Sequence, residues 1–205
     1  MNSNSEEVEV KFFLEEEGAA KEAVFQAGGV SLGRFFELNI RYDDKNESIG
    51  RQKCLLRLRK DRKTRLTYKS PPDIDDSRFK ILREMEIEVN DFETTRHILN
   101  ALGFFEVQRY EKFRETFTIG KTQILMDAMP YGDFLEIEGE KADILDIAGK
   151  IGMKWEDRIL ANYLEIFEGL KNRLNFSFNN VTFNNFNTVS GDFSAIIRTF
   201  QAGGP

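Results

Sequence analysis

The sequence predicts an α+β fold in which seven or more strands curl into a barrel, with helices over its apolar outside and a wet, charged bore within. Three observations predict it. Strand-like segments alternate charged and apolar residues in strict register, beginning with Glu7-Val8-Glu9-Val10-Lys11, and successive strand residues point to opposite faces. The charged faces come in both signs, acidic on some strands and basic on others. Helical stretches with one apolar side lie between and after the strands. An ordinary two-layer sheet would not place so many charges in register, whereas a barrel can turn them inward.

The elements follow in order. In the first strand Glu7, Glu9 and Lys11 share one face, and Val8, Val10 and Phe12 the other. Two carboxylates at that spacing can close on one hard cation, and the lysine can hold an anion brought to it. A solvated strand face is the ordinary alternative. Residues 15–27 read as a helix stopped by Gly28-Gly29, and 35–42 (FFELNIRY) as a strand before the turn Asp43-Asp44-Lys45-Asn46. Between Arg51 and Lys69 nine lysines and arginines face a single acid, Asp61. Here 55–59 and 65–69 alternate and make a hairpin ended by Pro71-Pro72. Arg57, Arg59 and Lys69 share their period with apolar neighbours; Arg62, Lys63 and Arg65 read as an exposed surface. The strand 83–89 (REMEIEV) repeats the pattern with the sign reversed. Asp91 then caps a helix over 92–102 that Gly103 ends, with His97 on its surface. Three more strands follow: 112–117 with Lys112 and Arg114 on one face, 124–128, and 134–138 with Glu136 and Glu138 on one face. Two helices are expected last, over 142–151 and from Asp157 to about Leu170, the second with a stripe of Ile159, Leu160, Tyr163, Leu164 and Phe167.

Composition narrows the function classes. Thirty-five acids against 29 bases give a net charge of −6 over 205 residues, which disfavours general nucleic-acid binding. The single cysteine, Cys54, forms no internal disulfide and suits a reducing compartment. The single histidine, His97, argues against a zinc site or a His-based triad. No apolar run nears the ~20 residues of a membrane helix, and MNSNSEEV lacks a signal-peptide core. A cytoplasmic protein without membrane or nucleic-acid partners is expected.

Inward charge has to be compensated, by the opposite sign or by a ligand, because an unpaired buried ion costs several kcal/mol. Glu7, Glu9, Glu86, Glu136 and Glu138 face Lys11, Arg57, Arg59, Lys69, Lys112 and Arg114. A triphosphate carrying Mg²⁺ or Mn²⁺ suits both sets, since guanidinium and ammonium groups hold phosphate oxygens and carboxylates hold the metal. No Gly-rich phosphate loop of the Walker type is present.

The motifs, taken in order, resemble the CYTH superfamily of triphosphate tunnel metalloenzymes. They are the ExExK of Glu7, Glu9 and Lys11, LLRLR (55–59), TYKSP (67–71), REMEIEV (83–89), the K-x-R of Lys112 and Arg114, MDAMPYGDFLEIE (126–138) and NYLEIF (162–167). The resemblance spans about residues 6–168 and implies an eight-stranded antiparallel β-barrel with the triphosphate in its tunnel. It implies Glu7, Glu9 and Glu136 as metal ligands, with Glu138 an inward-facing helper, and Mg²⁺ or Mn²⁺ as the cofactor. It implies Lys11, Arg57, Arg59, Lys69, Lys112 and Arg114 as triphosphate-binding residues. Asp127 falls where the family keeps an acid in the tunnel and joins Glu7, Glu9, Lys11 and Glu136 as a candidate catalytic residue. Glu84 and Glu86 lie on the family's acidic middle strand with their role open. Asn162-Tyr163 stands where related chains often read Ser-Tyr, which puts only a local contact in doubt.

Within that superfamily the segments look most like the class IV adenylyl cyclase group, in which the ribose 3′-hydroxyl of ATP attacks the α-phosphorus. Inorganic triphosphatase or thiamine triphosphatase activity is the alternative, and a non-catalytic binder of nucleotide or polyphosphate the third reading. ATP or another triphosphate is the expected substrate, and a homodimer is an open arrangement. The resemblance assigns residues 1–170 to the CYTH domain. It leaves 171–205, rich in asparagine and with six phenylalanines, as an extension of unknown role. Phe193, Ile196, Ile197 and Phe200 have helical spacing and could dock on the barrel or on a second copy of the chain.

Overall fold

The first strand ties the sheet into a ring. In the computed structural model, which describes residues 5–73, 76–189 and 191–203, β1 (Ser5–Leu14) pairs with two neighbours. Its residues 5–9 pair with β5 (Lys80–Val89) and its residues 9–14 with β8 (Gly132–Glu138). The other strands are β2 (Val30–Asp43), β3 (Leu55–Lys60), β4 (Thr64–Ser70), β6 (Phe105–Ile119) and β7 (Thr122–Met129). The ring runs β1-β5-β4-β3-β2-β6-β7-β8 and back to β1, antiparallel throughout. This is the expected eight-stranded barrel. A ninth strand, β9 (Arg158–Ile159), lies on the edge of β1 that β5 leaves free.

Alternation sorts the side chains as expected. Outward Val10, Phe12, Ile124, Met126, Leu135 and Ile137 form one core with Ala20 and Val24 of helix α1 (Glu17–Gln26) and with a later helix, 141–150. A four-residue helix, α2 (Ser48–Arg51), follows β2. Ile40, Tyr42 and Leu58 form another core with Phe92 and Leu99 of α3 (Phe92–Ala101). The side chain of Asp91 accepts the Thr94 N–H at the start of α3, and Gly103 at φ +89° turns the chain away after it. The 141–150 helix is α4 (Lys141–Lys150).

One expectation needs correction. The helix expected from Asp157 begins only at Tyr163, as α5 (Tyr163–Leu174). Asn162 and Glu165 form a reciprocal capping box that sets this start, while Arg158 and Ile159 are drawn into the ladder opposite Phe12 and Lys11. The apolar stripe therefore belongs partly to a strand. No helix among the described residues is long and apolar enough to cross a membrane.

The Asn/Phe-rich segment packs on its own barrel. Strand β6 pairs with β7 only through residues 113–119, which leaves its first half with one bare edge. Val181 covers it: its N–H donates to Arg109 O at 2.8 Å and its carbonyl accepts from Glu111 N at 2.9 Å. Asn180 Oδ1 takes the Arg109 N–H, and Asn179 O takes the Gln108 amide. Unpaired strand edges invite aberrant pairing, and here backbone and amide groups satisfy one. Two short helices, α6 (Phe183–Phe186) and α7 (Ser194–Arg198), then bury Phe186 and Ile197 against Tyr131, Phe134, Ile166, Phe167 and Leu170. The phenylalanines also stack on one another, Phe176 and Phe178 at 5.1 Å between centroids.

Ile197 is fully buried in that cluster. Ile197→Ala should lower unfolding free energy by about 2–5 kcal/mol, measured by urea denaturation; a loss below ~1 kcal/mol would mean that the segment contributes little to the fold.

Candidate active site

The bore is a cavity of about 1280 Å³, and its walls differ in sign. On β1 and β8, Glu7, Glu9 and Glu138 gather. Glu9 and Glu138 are direct register partners. Burial, then repulsion from Glu7 and Glu9, pushes the Glu138 carboxyl up to about 7. Burial and the nearness of Glu9 and Glu84 likewise raise Glu7, against the pull of Lys69. Burial opposes ionisation of Glu9 most strongly as well, but Lys80, at 2.6 Å, together with Lys11 and Lys69 holds the carboxyl below its usual range.

The cationic groups come from β3, β4 and β6. Arg57 and Arg59 project from β3, Lys69 from β4, Lys112 and Arg114 from β6, all into the same bore. Arg57 Nε and Arg59 Nε are buried without a hydrogen-bond partner among the described residues. Burial, then the neighbouring Arg57, pulls the Arg59 pKa below its ordinary value. Two crowded guanidinium groups with unspent N–H donors are arranged for an anion.

The remaining candidates knit the walls together. Asp127 accepts from Lys112 at 2.9 Å, from Arg114 Nε at 2.6 Å and from the Tyr163 phenol at 2.8 Å. Glu136 lies between Lys11, at 2.9 Å, and Arg114, at 2.5 Å. Burial disfavours its charge, yet Lys11 and then Arg114 hold it well below the usual carboxylate range. Lys69 bridges Glu7 and Glu84. Glu86 accepts from Thr67 and Arg59.

The structure thus brings Glu7, Glu9, Lys11, Arg57, Arg59, Lys69, Lys112, Arg114, Glu136 and Glu138 into one cavity, with Asp127 at its wall. Four residues are added that the sequence pattern did not single out for the site. Lys80 precedes the acidic run of β5, yet its alternation places it inward against Glu9. Glu37 is the lone acid of FFELNIRY. Arg65, expected on the surface, lines the bore with Asp61 at 2.8 Å and Glu86 at 3.5 Å, because it is the register partner of Arg59. Tyr163, read in an apolar stripe and in the NYLEIF motif but given no role in the site, lies under Lys11 (4.2 Å) and Lys112 (5.1 Å). For the first three the signal was parity within the strand; for Tyr163 it was the NYLEIF motif alone.

The residues fit a hard divalent cation. Glu7, Glu9 and Glu138 offer only carboxylate oxygens, the donors that Mg²⁺ and Mn²⁺ prefer, and their mutual repulsion leaves Glu138 short of positive charge. As they stand, no three acidic side chains among the described residues are clasped in ligating geometry, and Lys69 and Lys80 hold two of them.

Comparison with known proteins follows the same outline. The profile of the CYTH domain matches residues 5–151. A Methanocaldococcus jannaschii protein provisionally named an adenylate cyclase is 27% identical over 166 residues, which is 80% of this chain and 89% of that one. A Vibrio parahaemolyticus structure, also provisionally named an adenylate cyclase, superposes with a TM-score of 0.70 at 20% identity over 79% of this chain and 97% of that one. A Hippeastrum protein, provisionally named an adenylyl cyclase and described as having a dominant triphosphatase activity, gives 0.57 at 14% identity over 79% and 95%. The two structures establish a shared fold.

The Glu138 carboxyl titrates near 7 in the folded chain and near 4.5 when unfolded, so the native state binds the extra proton between those values. Stability contributed by the neutral acid is present below pH 4.5 and is lost as pH rises through 7. Glu138→Gln should therefore raise the metal-free thermal midpoint at pH 8, with the difference shrinking towards pH 4.5. An equal midpoint at pH 8 would place Glu138 outside the repelling carboxylate set.

Proposed function

The chain belongs to the CYTH domain family, and on that premise we propose that it is a divalent-metal-dependent enzyme acting on a triphosphate held in the bore, as an adenylyl cyclase of the class IV type. The observation that carries this is the division of the cavity into a carboxylate cluster, in which Glu138 is short of positive charge, and a cationic wall with unspent guanidinium N–H groups. Lys11, Arg57, Arg59, Lys69, Lys112 and Arg114 take the non-bridging phosphate oxygens. Glu7, Glu9 and Glu138, with Glu136 beside them, would hold Mg²⁺ or Mn²⁺, which when bound neutralises phosphate charge. Asp127, whose oxygens accept from three donors, serves by orienting Lys112 and Arg114 for in-line displacement.

In this reaction the ribose 3′-hydroxyl gives up its proton to solvent or to a bore carboxylate as its oxygen bonds to the α-phosphorus, the bond from that phosphorus to the α–β bridging oxygen breaks, and pyrophosphate leaves. The size of the bore supports a nucleotide. Pockets for drug-sized ligands measure roughly 300–1,000 Å³, so a cavity of about 1280 Å³ leaves room beyond the phosphates. Leu55, Pro71, Pro72, Leu164 and Phe200 add apolar lining suited to a nucleoside. A second reading, hydrolysis of tripolyphosphate or thiamine triphosphate, uses the same cradle. It is favoured by the lining itself, whose ionic groups among the described residues address phosphate and give a ribose hydroxyl no evident advantage over water.

Purified protein with Mg²⁺ or Mn²⁺ should convert ATP to cyclic AMP and pyrophosphate. Phosphate release from tripolyphosphate without cyclic AMP would establish the hydrolase instead. Glu9→Gln should lower turnover by on the order of 10²-fold or more with an unchanged circular dichroism spectrum. Near-wild-type turnover in that variant would remove Glu9 from the metal set.

A further inference from the structure

One carboxylate of the bore stands among the cations. Glu37 lies on β2, four strands from β1 in either direction around the ring, so it faces the metal-binding candidates from the opposite wall. It is the register partner of Lys112 and two residues before the partner of Arg59. Its carboxylate is 3.6 Å from Lys112 Nζ and 3.8 Å from Arg59 Nη1, both beyond hydrogen-bond distance. Glu37 Oε2 is buried without a hydrogen-bond partner among the described residues, although the residue is only 3% exposed. Burial opposes its ionisation, but Lys112, then Arg114, Arg59 and Arg57, hold its pKa down to about 2, so it keeps its charge at any working pH.

This differs from the part Asp127 plays. Asp127 engages its cations through hydrogen bonds and fixes their direction. Glu37 stands off from Lys112 and Arg59 and takes no hydrogen bond from either, so its effect on an arriving anion is electrostatic. It is fixed in the wall and cannot be displaced as a solvent ion would be. It therefore repels every phosphate group lodged on the Arg57–Arg59–Lys112–Arg114 wall, and the repulsion grows with the charge the ligand carries.

Resting on the triphosphate reading above, we propose that Glu37 is a specificity-determining residue: a fixed carboxylate in the cationic wall that penalises phosphate chains in proportion to their charge and so limits the chain length the bore accepts. Its removal should favour the longer chains most.

The test is calorimetric titration of metal-free wild-type and Glu37→Gln protein with pyrophosphate, tripolyphosphate and tetrapolyphosphate at fixed ionic strength. Tightening in E37Q should grow with length, from roughly threefold for pyrophosphate to tenfold or more for tetrapolyphosphate. Glu37→Met, neutral and similar in size, carries the same expectation if the buried amide is not tolerated. Glu37→Asp keeps the charge and should retain the wild-type order of affinities. An equal change at all three lengths, no change, or weaker binding in the neutral variants would overturn the role of Glu37 while leaving the bore a phosphate site. Failure of the wild-type protein to bind any of the three chains would overturn the triphosphate reading itself, and this inference with it.

Discussion

The rest of the structure depends on mutual compensation of charges that the barrel has removed from water. Lys11, Lys112, Glu9, Glu37, Asp127 and Glu136 are all less than 9% exposed. Left alone, each would carry a desolvation penalty of several kcal/mol. The ring makes the burial tolerable by setting opposite signs on neighbouring strands. Lys11 of β1 is the register partner of Glu136 on β8, Lys112 of β6 that of Glu37 on β2, Lys69 of β4 that of Glu84 on β5. The outer face supplies the stability, through Val10, Phe12, Ile124, Leu135 and Ile137 packed under α1 and α4. The inner face is therefore free to carry chemistry instead of adding to the core.

Much of this was legible in the chain itself. Strict alternation announces the strand faces, and Gly28, Gly103 and the prolines after β4 mark where elements stop. The sites on β1, β3, β6 and β8 could be read because charge repeats there at every second residue. What escaped reading has physical causes. Lys80 and Glu37 each have no other charge two residues away within their strand, so no charge repeat marks their face. Arg65 has the parity of Lys69 on β4, but it stands at the turn end of the hairpin beside Arg62 and Lys63, where parity alone does not separate a bore residue from a surface one. Tyr163 enters the bore from the first turn of a helix, and helical periodicity says nothing of what that turn abuts. Strand β9 is two residues long, too short for any period.

The lysines opposite the carboxylates bear on how such a site rests and works. Lys69 on Glu7 and Lys80 on Glu9 neutralise carboxylates that would otherwise repel one another. The same contacts keep both side chains ordered and inward. A cation entering beside Glu138 would compete with the ammonium groups already in place. Selectivity in such a site comes as much from what must be displaced as from the ligands themselves.

The covering of β6 by Val181 has a consequence for synthesis on the ribosome. All eight strands of the ring have emerged once Glu138 has, yet half of β6 keeps a bare edge until Val181, well after the last of them, reaches it. Over that interval the nascent chain displays an open ladder, beside apolar surface on Tyr131 and Phe167 that the later phenylalanines go on to cover. Such surfaces are where other chains and chaperones find purchase. Closure of the β6 edge thus waits on the Asn/Phe-rich segment.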